Sequence, residues 1–189
     1  MPELWLIRHG ETAWSLAGKH TGRTDVPLTG EGRRRAAALG VFLRGHAFER
    51  VVASPLSRAH ETCLIAEPAG PLQLDEDLLE WDYGDYEGLT TAEIRIHTPG
   101  WTIWRDGAPG GETMNEVAAR ARRVIDRAAS ADGDVALFAH GHFLRVLTAC
   151  WLQFPPVAGA SFALGTASLS TLGHERETQV ITGWNRVAG

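Results

Sequence analysis

Three short apolar runs in this chain end in polar residues that a packed core does not require. "LWLI" runs into Arg8 and His9, "RVVA" runs into Ser54 with Arg58 just beyond, and "VALFA" runs into His140. An arginine beside a histidine, where a strand turns, delivers a cation and an imidazole together. In an open α/β sheet, ligands bind at the carboxyl ends of the strands. If the three runs are strands of one such sheet, their ends gather two guanidinium groups and two imidazoles into one crevice. Two guanidiniums side by side repel unless an anion sits between them, and their planar forks match phosphate oxygens bidentately. The pattern describes a phosphate pocket.

A histidine in such a pocket can also react. A neutral ring nitrogen can attack phosphorus and form a phosphohistidine. The departing alkoxide then needs a proton, which a carboxyl group can supply. The acidic stretch "LDEDLLEWDYGDYEG" offers Asp75, Glu76, Asp77, Glu80, Asp82, Asp85 and Glu87. Physical reasoning favours Glu80 only weakly, as the residue that follows Leu78 and Leu79 and is thereby partly desolvated. Gly10 and Gly141 let the backbone turn sharply and approach a ligand closely. A helix opening near Gly141 adds N–H donors and the positive end of its dipole. No G-x-x-x-x-G-K-[ST] loop occurs in the chain. The pair His140 and His142 raises the question of a metal, but no carboxylate or cysteine lies at ligand spacing and two arginines repel a cation. The reading calls for neither metal nor cofactor.

The elements that must position these groups alternate short apolar runs with amphipathic stretches, which points to an α/β fold. Strands are expected over 3–7, 50–53, 135–139, 168–173 and 178–183, the last two as a hairpin. Helices are expected over 31–45 with Thr29 as N-cap and Gly45 as a stop, and from Ser54 as N-cap with Pro55 in the first turn to about Ala66. Capping boxes at Thr90–Glu93 and Thr113–Glu116 open two more, the first ending before Pro99 and the second near Ala129. Residues 74–88 and 101–111 read as irregular. Arg33, Arg34 and Arg35 fall on different sides of their helix and read as a solvated face.

The bulk properties suit one soluble domain over residues 1–189. Hydrophobic residues make up 44%, charged residues 22%, and the net charge is −5. No basic field recommends nucleic acid or an anionic membrane as partner. "MPELWLI" is too short to span a bilayer and lacks the pattern of a secretion signal, so a cytoplasmic location is expected. Cys63 and Cys150 sit in apolar helical contexts and read as free thiols. The tail hairpin offers an edge through which a homo-oligomer can form.

Six motifs, "RHGETAWS", "TGRTDVPLTGEG", "SPLSRAHET", "LLEWDYGDYEG", "GGET" and "FAHGH", occur in this order from residue 4 to about residue 145. Together they resemble the motif series of the histidine phosphatase superfamily, also called phosphoglycerate-mutase-like. The resemblance implies a three-layer α/β/α sandwich with a mostly parallel central sheet. It implies His9 as nucleophile, Arg8, Arg58 and His140 as holders of the phosphoryl group, and Glu80 as proton donor. "WDYGDYEG", "IWRDG", "FAHGHFLR" and Ser15 after the tryptophan of the first motif are most similar to the sedoheptulose-bisphosphatase branch. The resemblance extends to Thr21 and Gly22 as contacts for the non-reacting end of the substrate, with a simple turn as the competing reading. Tyr83 reaches a sugar hydroxyl or distal phosphate, or wedges its loop against the core. Gly141 and His142 complete the substrate-binding set, with structural packing an equal reading of His142. Trp81 and Trp104 are placed at the pocket mouth. The tail after Trp151 shows little that matches the family's motifs.

The function implied is metal-independent hydrolysis of small phosphorylated metabolites, sugar phosphates or bisphosphates foremost. A phosphoglycerate mutase and a broad acid phosphatase are the alternatives, with a non-catalytic phosphate-binding module as the rival from another class. Sixty residues separate Glu80 from His140. Mutases of the family usually carry a longer insertion there, so the short spacing favours hydrolysis.

Overall fold

A computed structural model of the chain describes residues 2–188. The elements run β1 (Leu4–Arg8), α1 (Ala13–Leu16), α2 (Gly30–Leu43), β2 (Arg50–Ala53), α3 (Ser57–Ala66), β3 (Leu72–Leu74), α4 (Thr91–His97), α5 (Ile103–Asp106), α6 (Met114–Ala129), β4 (Val135–Ala139), α7 (Gly141–Trp151), β5 (Ser168–Glu175) and β6 (Thr178–Val187). One sheet in the order β3-β2-β4-β1-β5-β6 holds all six strands. The pairs β1/β4, β2/β4 and β2/β3 are parallel, whereas β5 joins β1 and β6 joins β5 antiparallel.

Period-two alternation divides the core into two layers. Leu4, Leu6, Val135, Leu137 and Leu172 face α6 and α7, with Val117, Ala121, Phe143 and Leu147 against them. Ile7, Val51, Ala53, Ala136, Phe138 and Leu169 face α2 and α3, meeting Leu39, Leu43 and Cys63. β4 is buried along its whole length, as a central parallel strand covered on both faces must be. The result is the three-layer α/β/α sandwich expected. Because β1, β2 and β4 are parallel neighbours, Arg8, Ser54 and His140 arrive at the same edge. The ladder runs on into the turns there: His9 N–H donates to Ala139 O (3.0 Å) and Ser54 N–H to Phe138 O (2.9 Å).

Local signals set most boundaries. Thr29 Oγ1 accepts from Gly32 N–H, and both capping boxes close reciprocally. Gly45 lies in the left-handed region (φ +81°) just past α2, which ends at Leu43. Arg33 pairs with Glu61 and Arg34 with Glu31 on the exposed face of α2. Cys63 and Cys150 are free, and burial pushes the Cys63 thiol up to about 12, where it is unreactive.

Three expectations need correction. Ser54 does not cap α3: the helix starts at Ser57 after Leu56 with no side-chain cap, because Ser54 continues the strand ladder and its hydroxyl oxygen accepts from His140. Several short regular segments lie in stretches read as irregular or passed over: α1, β3 as an exposed three-residue strand on the sheet edge, α5 within 101–111, and single 3-10 turns at Glu76–Leu78 and Gly84–Tyr86. The hairpin strands are longer than expected, with register shifts between Leu169 and Leu172. No helix among the described residues is long and apolar enough to cross a membrane.

Phe138 is fully buried in the layer under α2 and α3. Phe138→Ala should cost about 3–5 kcal/mol, read as a lowered denaturation midpoint at unchanged m-value.

Candidate active site

A cavity of about 190 Å³ opens at the carboxyl edge of the sheet. Arg8, His9, Ser15, Gly18, Lys19, His20, Thr21, Glu80, Tyr83, Gly141, His142, Arg145 and Leu164 line it. Around His9 the hydrogen bonds determine the tautomer. Nδ1 lies 2.7 Å from Gly10 O, and a carbonyl only accepts, so Nδ1 carries the proton and Nε2 keeps a bare lone pair. His9 is buried. Burial first, then the charges of Arg8 and Arg58, hold its imidazole well below the usual histidine range and therefore neutral. A neutral imidazole with one free nitrogen is the form that can attack phosphorus.

Arg8 donates through Nη1 to Leu164 O, while its buried Nε has no partner within the protein. A buried guanidinium donor without a partner is costly. Gly141 makes room for that guanidinium: a Cβ there would stand 3.1 Å from Arg8 Cζ. Gly10 is likewise needed against the protein itself, since its Cβ would meet Gly32 O at 2.6 Å.

Arg58 and His140 form a layer behind His9. Both are fully buried, and neither lines the cavity. Arg58 Nε donates to His140 Nδ1 (3.2 Å), so His140 carries its proton on Nε2 and donates to Ser54 Oγ (2.8 Å). The rings of His9 and His140 are 5.2 Å apart between centroids. The other Arg58 donors take the carbonyls of Thr24 (2.9 Å), Thr21 (3.2 Å) and Gly22 (2.9 Å). Burial lowers the proton affinity of Arg58, while Glu80, Asp25 and Glu87 oppose that shift. Burial, and then Arg58, keeps His140 neutral as well.

Glu80 comes from the strap between β3 and α4 and is nearly buried. Its Oε1 accepts from Trp81 N–H (2.9 Å) and Phe143 N–H (2.8 Å), and Oε2 accepts from His142 N–H (3.0 Å). First-turn donors of α7, expected to serve the ligand, thus hold this carboxylate at the rim of the cavity.

Of the residues expected to bind substrate, Ser15, Thr21, Tyr83, Gly141 and His142 line the cavity. Ser15 also closes the capping box of α1 with Thr12. Tyr83 Oη and His142 Nδ1 share a 2.6 Å hydrogen bond. Gly22 lies outside the lining: its N–H donates to Glu87 Oε1 (2.8 Å), and a Cβ would strike Trp81 O. Trp81 is fully buried, with Nε1 donating to Glu112 O, while Trp104 stacks beneath Arg145. Lys19, His20, Arg145 and Leu164 were not singled out in the sequence. Arg145 stands five residues after His140 on α7; a helical count from His142 puts it on the same face. Leu164 lies in the tail and carries no sequence signal.

The Histidine phosphatase superfamily (branch 1) matches this chain over residues 4–187. An acid phosphatase of Mycobacterium tuberculosis is 41% identical over 179 residues, 91% of this chain and 86% of that protein. Sedoheptulose 1,7-bisphosphatase of Saccharomyces cerevisiae is 37% identical, with 79% of this chain and 67% of that protein aligned. The solved structure of a Mycobacterium tuberculosis open reading frame superposes with a TM-score of 0.94 at 38% identity, covering 100% of this chain and 99% of that one.

His9 and His140 are held neutral in the folded chain, whereas unfolded imidazoles protonate near pH ~6.5. The folded pKa values are the lower ones, so the stability these residues permit is complete above that pH and is lost as pH falls below it. Each steepens the fall by up to about 1.4 kcal/mol per pH unit. Denaturant midpoints measured from neutral to mildly acid pH should drop, and His140→Asn should flatten the slope.

Proposed function

The chain belongs to the histidine phosphatase superfamily, and from that premise we propose that it hydrolyses phosphorylated sugars or sugar acids, with His9 as the phosphoryl acceptor. That it is a phosphoric monoester hydrolase follows from the family and from its phosphatase relatives. The observation that carries the assignment of His9 is its bare Nε2 on the cavity, on a ring held neutral.

In the first step His9 Nε2 attacks phosphorus as the bond to the leaving oxygen breaks, and Glu80 gives that oxygen a proton. In the second, Glu80 takes a proton from water, whose oxygen attacks phosphorus and releases His9. Inorganic phosphate departs, and His9 returns to its neutral form. Arg8, on the cavity lining, supplies positive charge to the phosphoryl oxygens. Arg58 and His140 act from behind, adding positive potential and fixing the loop at Thr21–Thr24. Fixed charge of this kind is usually the largest contribution to phosphoryl transfer.

The substrate class follows from a second cation in the same cavity. Arg145 donates through Nε to Gly159 O (2.9 Å) and through Nη2 to Ala160 O (2.9 Å), and its guanidinium lies 4.5 Å from the Trp104 ring centroid. No carboxylate pairs with it among the described residues. Burial lowers its hold on its proton, with Glu80 opposing that shift and Arg8 adding to it. Two guanidiniums sharing one cavity, Arg8 buried and Arg145 half-buried, with Lys19 nearby, suit a substrate with an anion at each end. A sugar bisphosphate or a phosphorylated sugar acid has that form.

Brief reaction with ³²P-labelled substrate should leave label on His9, and His9→Ala should carry none and turn over no substrate. Phosphate release with chelator present, and no isomerised product, is expected; transfer to an isomer instead would make the chain a mutase. Arg145→Ala should raise KM for a bisphosphate by about 10–100-fold, in line with the loss of a charged hydrogen bond, and leave p-nitrophenyl phosphate nearly unaffected.

A further inference from the structure

We propose that Arg120 is a positioning residue for the proton transfer, acting through the strap that carries Glu80. The inference rests on reading Glu80 as the proton donor. Arg120 stands on α6, outside the cavity, yet both of its Nη groups reach that strap. Nη1 donates to Asp77 O (2.7 Å) and Leu79 O (3.0 Å), and Nη2 to Glu80 O (3.4 Å). Nε and Nη2 also grip Glu112, at 2.8 Å to Oε1 and 2.9 Å to Oε2.

Glu112 completes the clamp from the far side. Its Oε2 accepts from Asp82 N–H (3.0 Å), its own N–H donates to Asp82 O (3.0 Å), and its carbonyl takes Trp81 Nε1 (2.8 Å). The strap is therefore fixed on both sides of Glu80 by one ion pair whose side chains are only 11% and 15% exposed. The same guanidinium lies 5.0 Å from the centre of the Phe143 ring, and Phe143 N–H is a donor to Glu80 Oε1. Backbone and carboxylate of Glu80 are thus referred to a single side chain.

Stability alone explains this arrangement poorly, because a buried ion pair often does no better than apolar residues of similar volume. Proton transfer explains it better. A donor displaced by about 1 Å can lose ~10²-fold in rate, and a strap with little regular structure has few other means of holding position.

The test compares kcat/KM, which covers only the phosphorylation of His9, for two substrates. Glycerol phosphate has a leaving group that needs a proton; 2,4-dinitrophenyl phosphate has one that does not. Glu80→Gln should lose about 10²–10⁴-fold on the first and far less on the second. Arg120→Lys keeps the charge but cannot reach every carbonyl and Glu112 at once. It should show the same selectivity, with a loss on glycerol phosphate roughly tenfold or more beyond that on the aryl ester. Glu112→Gln, a milder change, should shift both substrates in the same pattern. Equal losses on the two substrates in Arg120→Lys and Glu112→Gln, or no loss, overturn the proposal while Glu80→Gln stays selective. Equal losses in Glu80→Gln itself overturn the reading of Glu80, and the proposal with it.

Discussion

The site depends on one imidazole that must stay uncharged beside cations. Arg8 precedes His9 in the chain and Arg58 lies behind it, so protonating His9 would add a third positive charge to a buried cluster. The hydrogen bond from Nδ1 to Gly10 O then decides which nitrogen keeps the lone pair. Both conditions come from the backbone. β1 ends where the sheet places Ala139 beside Arg8, and His9 N–H continues the ladder, so the ring is anchored before any ligand arrives.

Burying a guanidinium as completely as Arg58 requires acceptors for its donors, and the chain provides them without using a direct carboxylate partner. His140 takes one donor, and three carbonyls of a single loop take three more. Glu87 holds the amides of that loop, at Gly22 and Thr24, from the other side. Positive charge accumulates beside the nucleophile while most of the Arg58 donors are taken up, which is how a field can stand ready before a dianion enters. Thr62 ties this layer to the turn after β1, accepting from Gly10 N–H and donating to Arg58 O.

Strand ends and capped helices were legible in the sequence because their signals are local. The run into Arg8 and His9, the boxes at Thr90 and Thr113, and the apolar stretch before His140 each depend on near neighbours. β3 escaped because three exposed residues carry no alternation, and α5 because a single turn has no period. Ser54 was misread because a cap and a strand extension look alike until His140 is folded against it. Spacing also did not reveal that Arg58 Nε would donate to His140 Nδ1, or that the first turn of α7 would be occupied by Glu80. Those arrangements are set by contacts between residues 62 and 82 positions apart.

The state of His9 itself is the most direct test. Side-chain ¹⁵N–¹H spectra, assigned by the signal lost in His9→Gln, can be followed from about pH 8 down to about pH 5.5, across the ordinary histidine titration range. The account predicts a neutral ring throughout, with its proton on Nδ1 and Nε2 bare. An imidazolium near pH ~6.5, or a proton residing on Nε2, would contradict it.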